Sequence, residues 1–254
     1  MPLPPTSTNS SQFPSTRWST ILKAGSTENP DSHDALSRLC ERYWYPLYAY
    51  VRRRGYPFSK AQDLTQDFFA VLLEKNYLKD VQRERGKFRS FLLASLNHFL
   101  ANDWDRSNAQ KRGGGKVVFL SDLSSAENRY QLEPAHDLTP QHIFEKCWAL
   151  ALLDQTFRRL ESDMAKQGNE NHFGVLKPFL IPQSENSSYK DVAKALNMTE
   201  GAIKVAVFRL RKRFRELLCE EIADTIDNPN ELEEEIRYFI NILSSHPDRN
   251  PELK

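Results

Sequence analysis

The chain has 254 residues, enough for one large domain or two small ones, and its 39% apolar and 27% charged content is that of a polar globular protein. It has no run of about 18 apolar residues, which excludes a transmembrane helix and membrane insertion. Cys40, Cys147 and Cys219 stand without metal-ligand or disulfide spacing, as expected of small core residues in a reducing, cytoplasmic compartment. The net charge of +1 conceals blocks: 15 Lys/Arg against 8 Asp/Glu from Leu36 to Arg112, 8 against 3 from Tyr189 to Leu217, and 3 against 10 from Leu218 to Lys254. Two basic blocks suit a polyanion touched at two places, and solvated helix faces give the same pattern.

Residues 1–15, rich in Pro, Ser and Thr, lack the basic start and apolar run of a signal peptide and read as a disordered tail. The spacing predicts a short amphipathic helix over Arg17 to Ala24. A longer one covers Asp31 to Arg54, with Leu36, Leu39, Tyr43, Leu47 and Tyr50 on one face and Pro46 as a kink point. Ser59 and Gln62 form a capping-box pattern that opens the next helix. Its apolar stripe is Leu64, Phe68, Val71 and Leu72; Asp63, Gln66, Asp67, Ala70 and Glu74 make a polar, acidic ridge. A further helix covers Phe88 to Arg106. Gly113-Gly114-Gly115 then breaks the pattern, and residues 113–140 read as a flexible linker, with a short extended piece at Val117 to Leu120.

Thr139-Pro140 is a helix start signal, since Pro is tolerated in a first turn. Ile143, Cys147, Leu150, Leu153, Phe157 and Leu160 trace the stripe that follows, and a shorter helix is expected near Phe173 to Leu180. The last helix, Asn230 to Leu243, is acidic. It gathers Leu232, Ile236, Phe239, Ile240 and Leu243 on a face that must pack on this chain or on a partner. The expected fold is therefore all-α. A tail (1–15) precedes a helical domain (16–112), a linker (113–140), a second helical domain (141–225) and an acidic helical extension (226–254).

The most informative stretch is SYKDVAKALNMTEGAIKVAVFRLRKRFREL, Ser188 to Leu217. Ser188 caps a short helix that buries Val192 and Leu196; Asn197-Met198 turns the chain; Thr199 caps a longer helix with Ile203, Val207, Leu210, Phe214 and Leu217 inside. This is a helix-turn-helix pattern, whose second helix enters the DNA major groove and reads base edges with its N-terminal residues. Lys204, Val205, Phe208, Lys212 and Arg215 face outward, with Glu200 and Gly201 at the entering end. Arg209, Arg211 and Arg213 flank them within reach of phosphates, which makes salt-dependent binding the expectation.

Three runs in the N-terminal half are YWYPLYAYVRRRG (Tyr43 to Gly55), AQDLTQDFF (Ala61 to Phe69) and GKFRSFLLASLNHFLANDWDR (Gly86 to Arg106). This segment resembles region two of the extracytoplasmic-function (ECF) sigma factors, whose characteristic Asp-Leu-Thr-Gln-Asp/Glu-x-Phe run reads Asp63 to Phe69 here. The helix-turn-helix is similar to region four of the same family, with Thr-Glu-Gly-Ala-Ile-Lys at Thr199 to Lys204. The order and separation also match, over roughly two thirds of the chain. No region-three domain is visible, and the linker and tail look like those of a longer-ended subgroup.

The resemblance implies a bacterial transcription-initiation factor, with core RNA polymerase and promoter DNA as partners. Asp63, Gln66, Asp67, Phe68 and Glu74 would contact the clamp helices of the polymerase's largest subunit, since acidic groups suit a basic coiled coil. Asn97, His98, Asn102, Trp104 and Arg106 would serve melting at the minus-ten element, where unstacked bases need pockets and stacking surfaces. Thr199, Glu200, Gly201, Lys204, Val205, Phe208, Arg209, Arg211 and Lys212 would read the minus-thirty-five element, with region four on the polymerase flap. Many relatives are held inactive by an anti-sigma factor, which is a further partner the resemblance admits. Two departures put individual base contacts in doubt: Asn97-His98 stands where relatives often carry Arg-Asn, and Val205-Ala206 where many carry Ser-Arg.

The alternatives are an enzyme and a stand-alone operator-binding regulator. His33, His98, His136, His142, His172 and His246 are isolated, and Gly113 to Gly115 lacks a Walker-type Lys-Ser/Thr, so no catalytic site, metal or cofactor is expected. A helix-turn-helix regulator would read two half-sites as a dimer, for which the C-terminal helix offers a contact. The acidic tail beside the basic recognition block is also expected to restrain DNA binding, so that deleting Asn228 to Lys254 strengthens it.

Overall fold

The computed structural model describes residues 30–74, 87–109, 127–130, 138–180, 188–226 and 228–244, with side chains from Glu41, Lys87 and Leu138 onward, to Leu72 in the second helix and to Asp103 in the third. The helices expected at Arg17 to Ala24 and the extended piece at Val117 to Leu120 lie outside these residues. The described helices are α1 (Pro30–Arg53), α2 (Phe58–Glu74), α3 (Phe88–Ala109), α4 (Pro140–Lys166), α5 (Glu170–Leu176), α6 (Tyr189–Ala195), α7 (Glu200–Ala223) and α8 (Leu232–Ser244). Short 3-10 turns at Lys177–Leu180 and Pro229–Glu231 follow α5 and precede α8. No strand occurs among the described residues, so the all-α expectation holds for them. No helix among them is long and apolar enough to cross a membrane.

Local chemistry sets most boundaries. Thr139 caps α4 by accepting from the His142 N–H, with Pro140 next, as expected. Pro46 lies inside α1 and leaves the Arg42 carbonyl without its helical donor, yet the helix continues to Arg53 because Tyr43, Leu47, Tyr48 and Val51 are all buried around it. The capping box expected at Ser59 is not formed. The α2 helix starts one residue earlier, with the Ala61 N–H donating to the Pro57 carbonyl (2.9 Å), so Ser59 sits inside the first turn.

One apolar core joins the two halves of the chain. It contains Leu47 and Tyr48 of α1, Leu64 and Phe68 of α2, Leu92 and Leu96 of α3, Phe144, Trp148 and Leu152 of α4, Ile222 of α7 and Phe239 of α8. The N-terminal part of α4 thus packs along α1, where separate domains on a flexible linker were expected. Two neighbours also widen the buried face of α4. Phe144, Trp148, Leu152 and Thr156 are buried, whereas Leu150, Leu153 and Phe157 of the expected stripe are only half-buried. A second core beneath the helix-turn-helix gathers Leu160, Phe173, Leu176, Phe179, Val192, Ile203, Val207, Leu210 and Leu217.

Part of the expected linker is anchored. Residues 127–130 form a helical turn against α1. Glu127 accepts from Arg52 Nη2 at 2.8 Å and from the Tyr48 hydroxyl, while Tyr130 meets Tyr48 edge-on at 6.4 Å. The Arg53 Nε donates to the Leu138 carbonyl at 2.8 Å.

The acidic extension packs on this chain. Phe239 is buried edge-on against Trp148 (6.3 Å), with Leu232, Ile236 and Leu243 partly buried beside it; Ile240, expected on the same face, is exposed. Glu235 is fully buried and pairs with Lys87 Nζ at 2.6 Å and with Arg89. Arg89 is itself held between the Trp148 and Tyr238 rings, 4.4 and 4.7 Å from their centroids. Glu235 thus faces Lys87 and Arg89 at the start of α3 rather than the basic side of α7, while the exposed Glu233 pairs with Arg237 of α8 itself. A second buried carboxylate, Glu221 of α7, pairs with Arg42 of α1 and with Arg159 of α4 at 2.8 Å. Two ionic clusters therefore clamp the ends of the shared core.

Candidate nucleic-acid interface

The caps and turn of the helix-turn-helix form as its sequence predicts, although Leu196 and Phe214, expected inside, are only half-buried. Ser188 caps α6 through the Lys190 N–H, and Thr199 caps α7 through the Ala202 N–H. Asn197 carries the turn with φ 51°, a left-handed conformation that asparagine tolerates better than most residues. Val192 and Ala193 pack on Ile203, Val207 and Leu210 of α7. With that inner stripe buried, the opposite side of α7 is left at the surface. Gly201, Lys204, Val205, Phe208, Arg209, Lys212 and Arg215 are exposed, and Glu200 is half-buried.

Several of these side chains have partners. Lys204 Nζ lies 3.0 Å from Glu200 Oε1, one helical turn back, and near the Tyr189 ring. Arg211, expected at a phosphate, donates its Nε and Nη2 to the Phe179 carbonyl (3.0 and 2.8 Å), tying α7 to the 3-10 turn after α5. Arg213 donates to Asp163 of α4 at 2.6 Å, and that pairing holds its guanidinium even more firmly protonated than usual. Both arginines do structural work that spacing alone did not disclose. Arg209, Lys212 and Arg215 are the exposed cations beyond Lys204 on this face.

On the first half, the acidic ridge of α2 is at the surface. Asp63 and Asp67 are exposed and Gln66 half-buried. Partial burial, then the neighbouring Asp63 charge, raises the Asp67 carboxyl above the ordinary aspartate range, with Lys60 opposing. Phe68 does not belong to that ridge: it is 3% exposed and packs on Phe69 and Phe99, because its position continues the Leu64 stripe. Glu74 ends α2, and its side chain lies outside the described residues.

Of the residues expected at the melted strand, His98 and Asn102 are exposed on α3, while the side chains of Trp104 and Arg106 lie outside the described residues. Asn97 is half-buried. Its Oδ1 accepts from the Tyr50 hydroxyl (2.8 Å) and from Arg54 Nη1 (2.6 Å), which fixes the orientation of the amide. Arg54 and Tyr50 are partners that the α3 pattern did not point to. Among the described residues, no three His, Cys, Asp or Glu side chains come together as a metal site.

No known protein family profile matches this chain, and neither a curated protein nor a solved structure shows significant similarity to it.

Proposed function

We propose that this chain is a sigma factor of the ECF type, which binds core RNA polymerase and directs it to promoters. The observation that carries this reading is a capped helix-turn-helix whose exposed face is basic, in the same chain as an exposed acidic ridge bearing the Asp63 to Phe69 motif. In this reading residues 16–112 serve the polymerase clamp and the minus-ten element. Residues 141–225 serve the minus-thirty-five element, and residues 113–140 connect them.

Each part has a physical task. The Asp63 and Asp67 carboxylates attract a basic partner surface and set its register. The α7 cations neutralise phosphates, and Glu200, Gly201, Lys204 and Val205 reach base edges. Asn97, held by Tyr50 and Arg54, offers amide donors to an unstacked base, beside His98 and Asn102.

The experiment is co-elution of the full-length protein with bacterial core RNA polymerase, for wild type and an Asp63→Arg/Asp67→Arg variant. Wild type should co-elute stoichiometrically, and the variant, folded and equally able to shift DNA, should not. Retained DNA binding with no polymerase association in wild type would instead assign the chain to stand-alone regulators.

A further inference from the structure

The outward face of α7 contains an apolar pair in a cationic field. Val205 is 49% and Phe208 69% exposed, and they are three residues apart, hence neighbours on one helix face. Ile203, Val207 and Leu210 fill the core on the opposite side, so neither residue is needed to hold α7 in place. The other exposed large apolar residues among those described, Phe58 and Ile240, stand singly on different helices. Lys204, Arg209, Lys212 and Arg215 surround the pair. Such a field selects a polyanion over an ordinary apolar protein surface. On the major-groove floor of DNA the apolar group is the thymine C5-methyl, which apolar side chains contact directly.

We propose that Val205 and Phe208 read thymine methyl groups, and that this pair sets the base preference of the recognition helix. The inference rests on the reading of α7 as a DNA-recognition helix and adds a specificity mechanism to it. Lys204, partnered by Glu200, is then a phosphate or acceptor contact at the rim, while the centre of the face is apolar. Hydrogen-bond readout is correspondingly weaker there than for a polar side chain at position 205.

The test selects duplexes from a random 20-base-pair pool using the full-length protein, alone and bound to bacterial core RNA polymerase. Thymines of the enriched duplex are then replaced one at a time by deoxyuridine, which removes only the methyl. At one or two positions the wild type should bind about fourfold more weakly per methyl removed. Val205→Ala and Phe208→Ala proteins, with melting temperatures equal to wild type because both sites are exposed, should lose that difference. An enriched duplex indifferent to deoxyuridine, or the same penalty in both variants, would overturn methyl reading and leave the DNA-binding reading intact. Failure to enrich any duplex in either form would overturn both.

Discussion

At Gly201 an added Cβ would meet no atom within 4 Å, so packing inside this chain does not explain a glycine there. Glycine costs a helix interior about 1 kcal/mol relative to alanine. Gly201→Ala, in the first turn of α7, is therefore expected to raise stability by less than about 1 kcal/mol in denaturant melts and, on the proposed reading of α7 as a recognition helix, to weaken DNA binding by hindering close approach of the groove. Stronger binding by the variant would contradict that role. The arginines of α7 divide by what they touch. On the proposed reading, Arg209→Ala with Lys212→Ala should lower the slope of log DNA affinity against log salt by about two, about one for each phosphate left without its cation. Arg211→Ala should instead lower the melting temperature, since it releases the Phe179 carbonyl. On α2, the raised Asp67 carboxyl loses its charge earlier than an ordinary aspartate as pH falls. If α2 forms the proposed polymerase contact, affinity titrated from neutral pH downward should thus weaken at milder acidity than a free carboxylate implies. Asp63→Asn should move that limb to lower pH, because it removes the like charge that raises Asp67.

Among the helices, the ionic clusters add to the apolar core in joining one element to another. Glu221→Gln leaves Arg42 and Arg159 facing a neutral group. The expected cost in a denaturant melt is about 2–3 kcal/mol, below that of a wholly dry pair because Arg159 is partly in water. At α8, burial and then a hydrogen bond to Glu145 push the Tyr238 hydroxyl up to about 12. The neutral phenol is the form favoured by folding. Its contribution is complete below the ordinary tyrosine value of about 10 and is lost as pH rises through the raised one. An absorbance titration should show this tyrosine ionising late, and earlier in Glu145→Gln. Local signals made several elements legible in sequence: Thr139-Pro140, Ser188 and Thr199 each cap as their side chains dictate. Periodicity placed Phe68 correctly in the apolar stripe of α2, against the surface contact that the resemblance implied, whereas the α4 stripe was harder to place. A helical wheel gives the apolar side of a helix but not the number of neighbours covering it, and α4 has to serve α1 and α7 together. The pairings of Glu221 and Glu235 join residues far apart in the chain, so local periodicity contains no trace of them.

For the whole molecule, the acidic extension is a structural component of the shared core. Removing residues 228–254 uncovers Trp148 and leaves Lys87 and Arg89 without Glu235. The apolar loss and the broken ion pair together are expected to lower the melting temperature by on the order of 10 °C in a thermal melt. Opposite charge within one sequence does not specify which cations the acids meet, and here the buried Glu235 meets Lys87 and Arg89. Most of the described helices were legible from periodicity. Their common core was not, because it depends on Trp148, Ile222 and Phe239 converging from three helices.

The most direct measurement is transcription in vitro from genomic fragments by bacterial core RNA polymerase supplemented with this protein and with no other sigma factor. A sigma factor gives discrete start sites with wild type. The Asp63→Arg/Asp67→Arg variant should abolish them, and Arg209→Ala/Lys212→Ala should weaken them in a salt-dependent way. Core polymerase that stays silent with wild type, while the protein still shifts DNA, would contradict an initiation role for this chain.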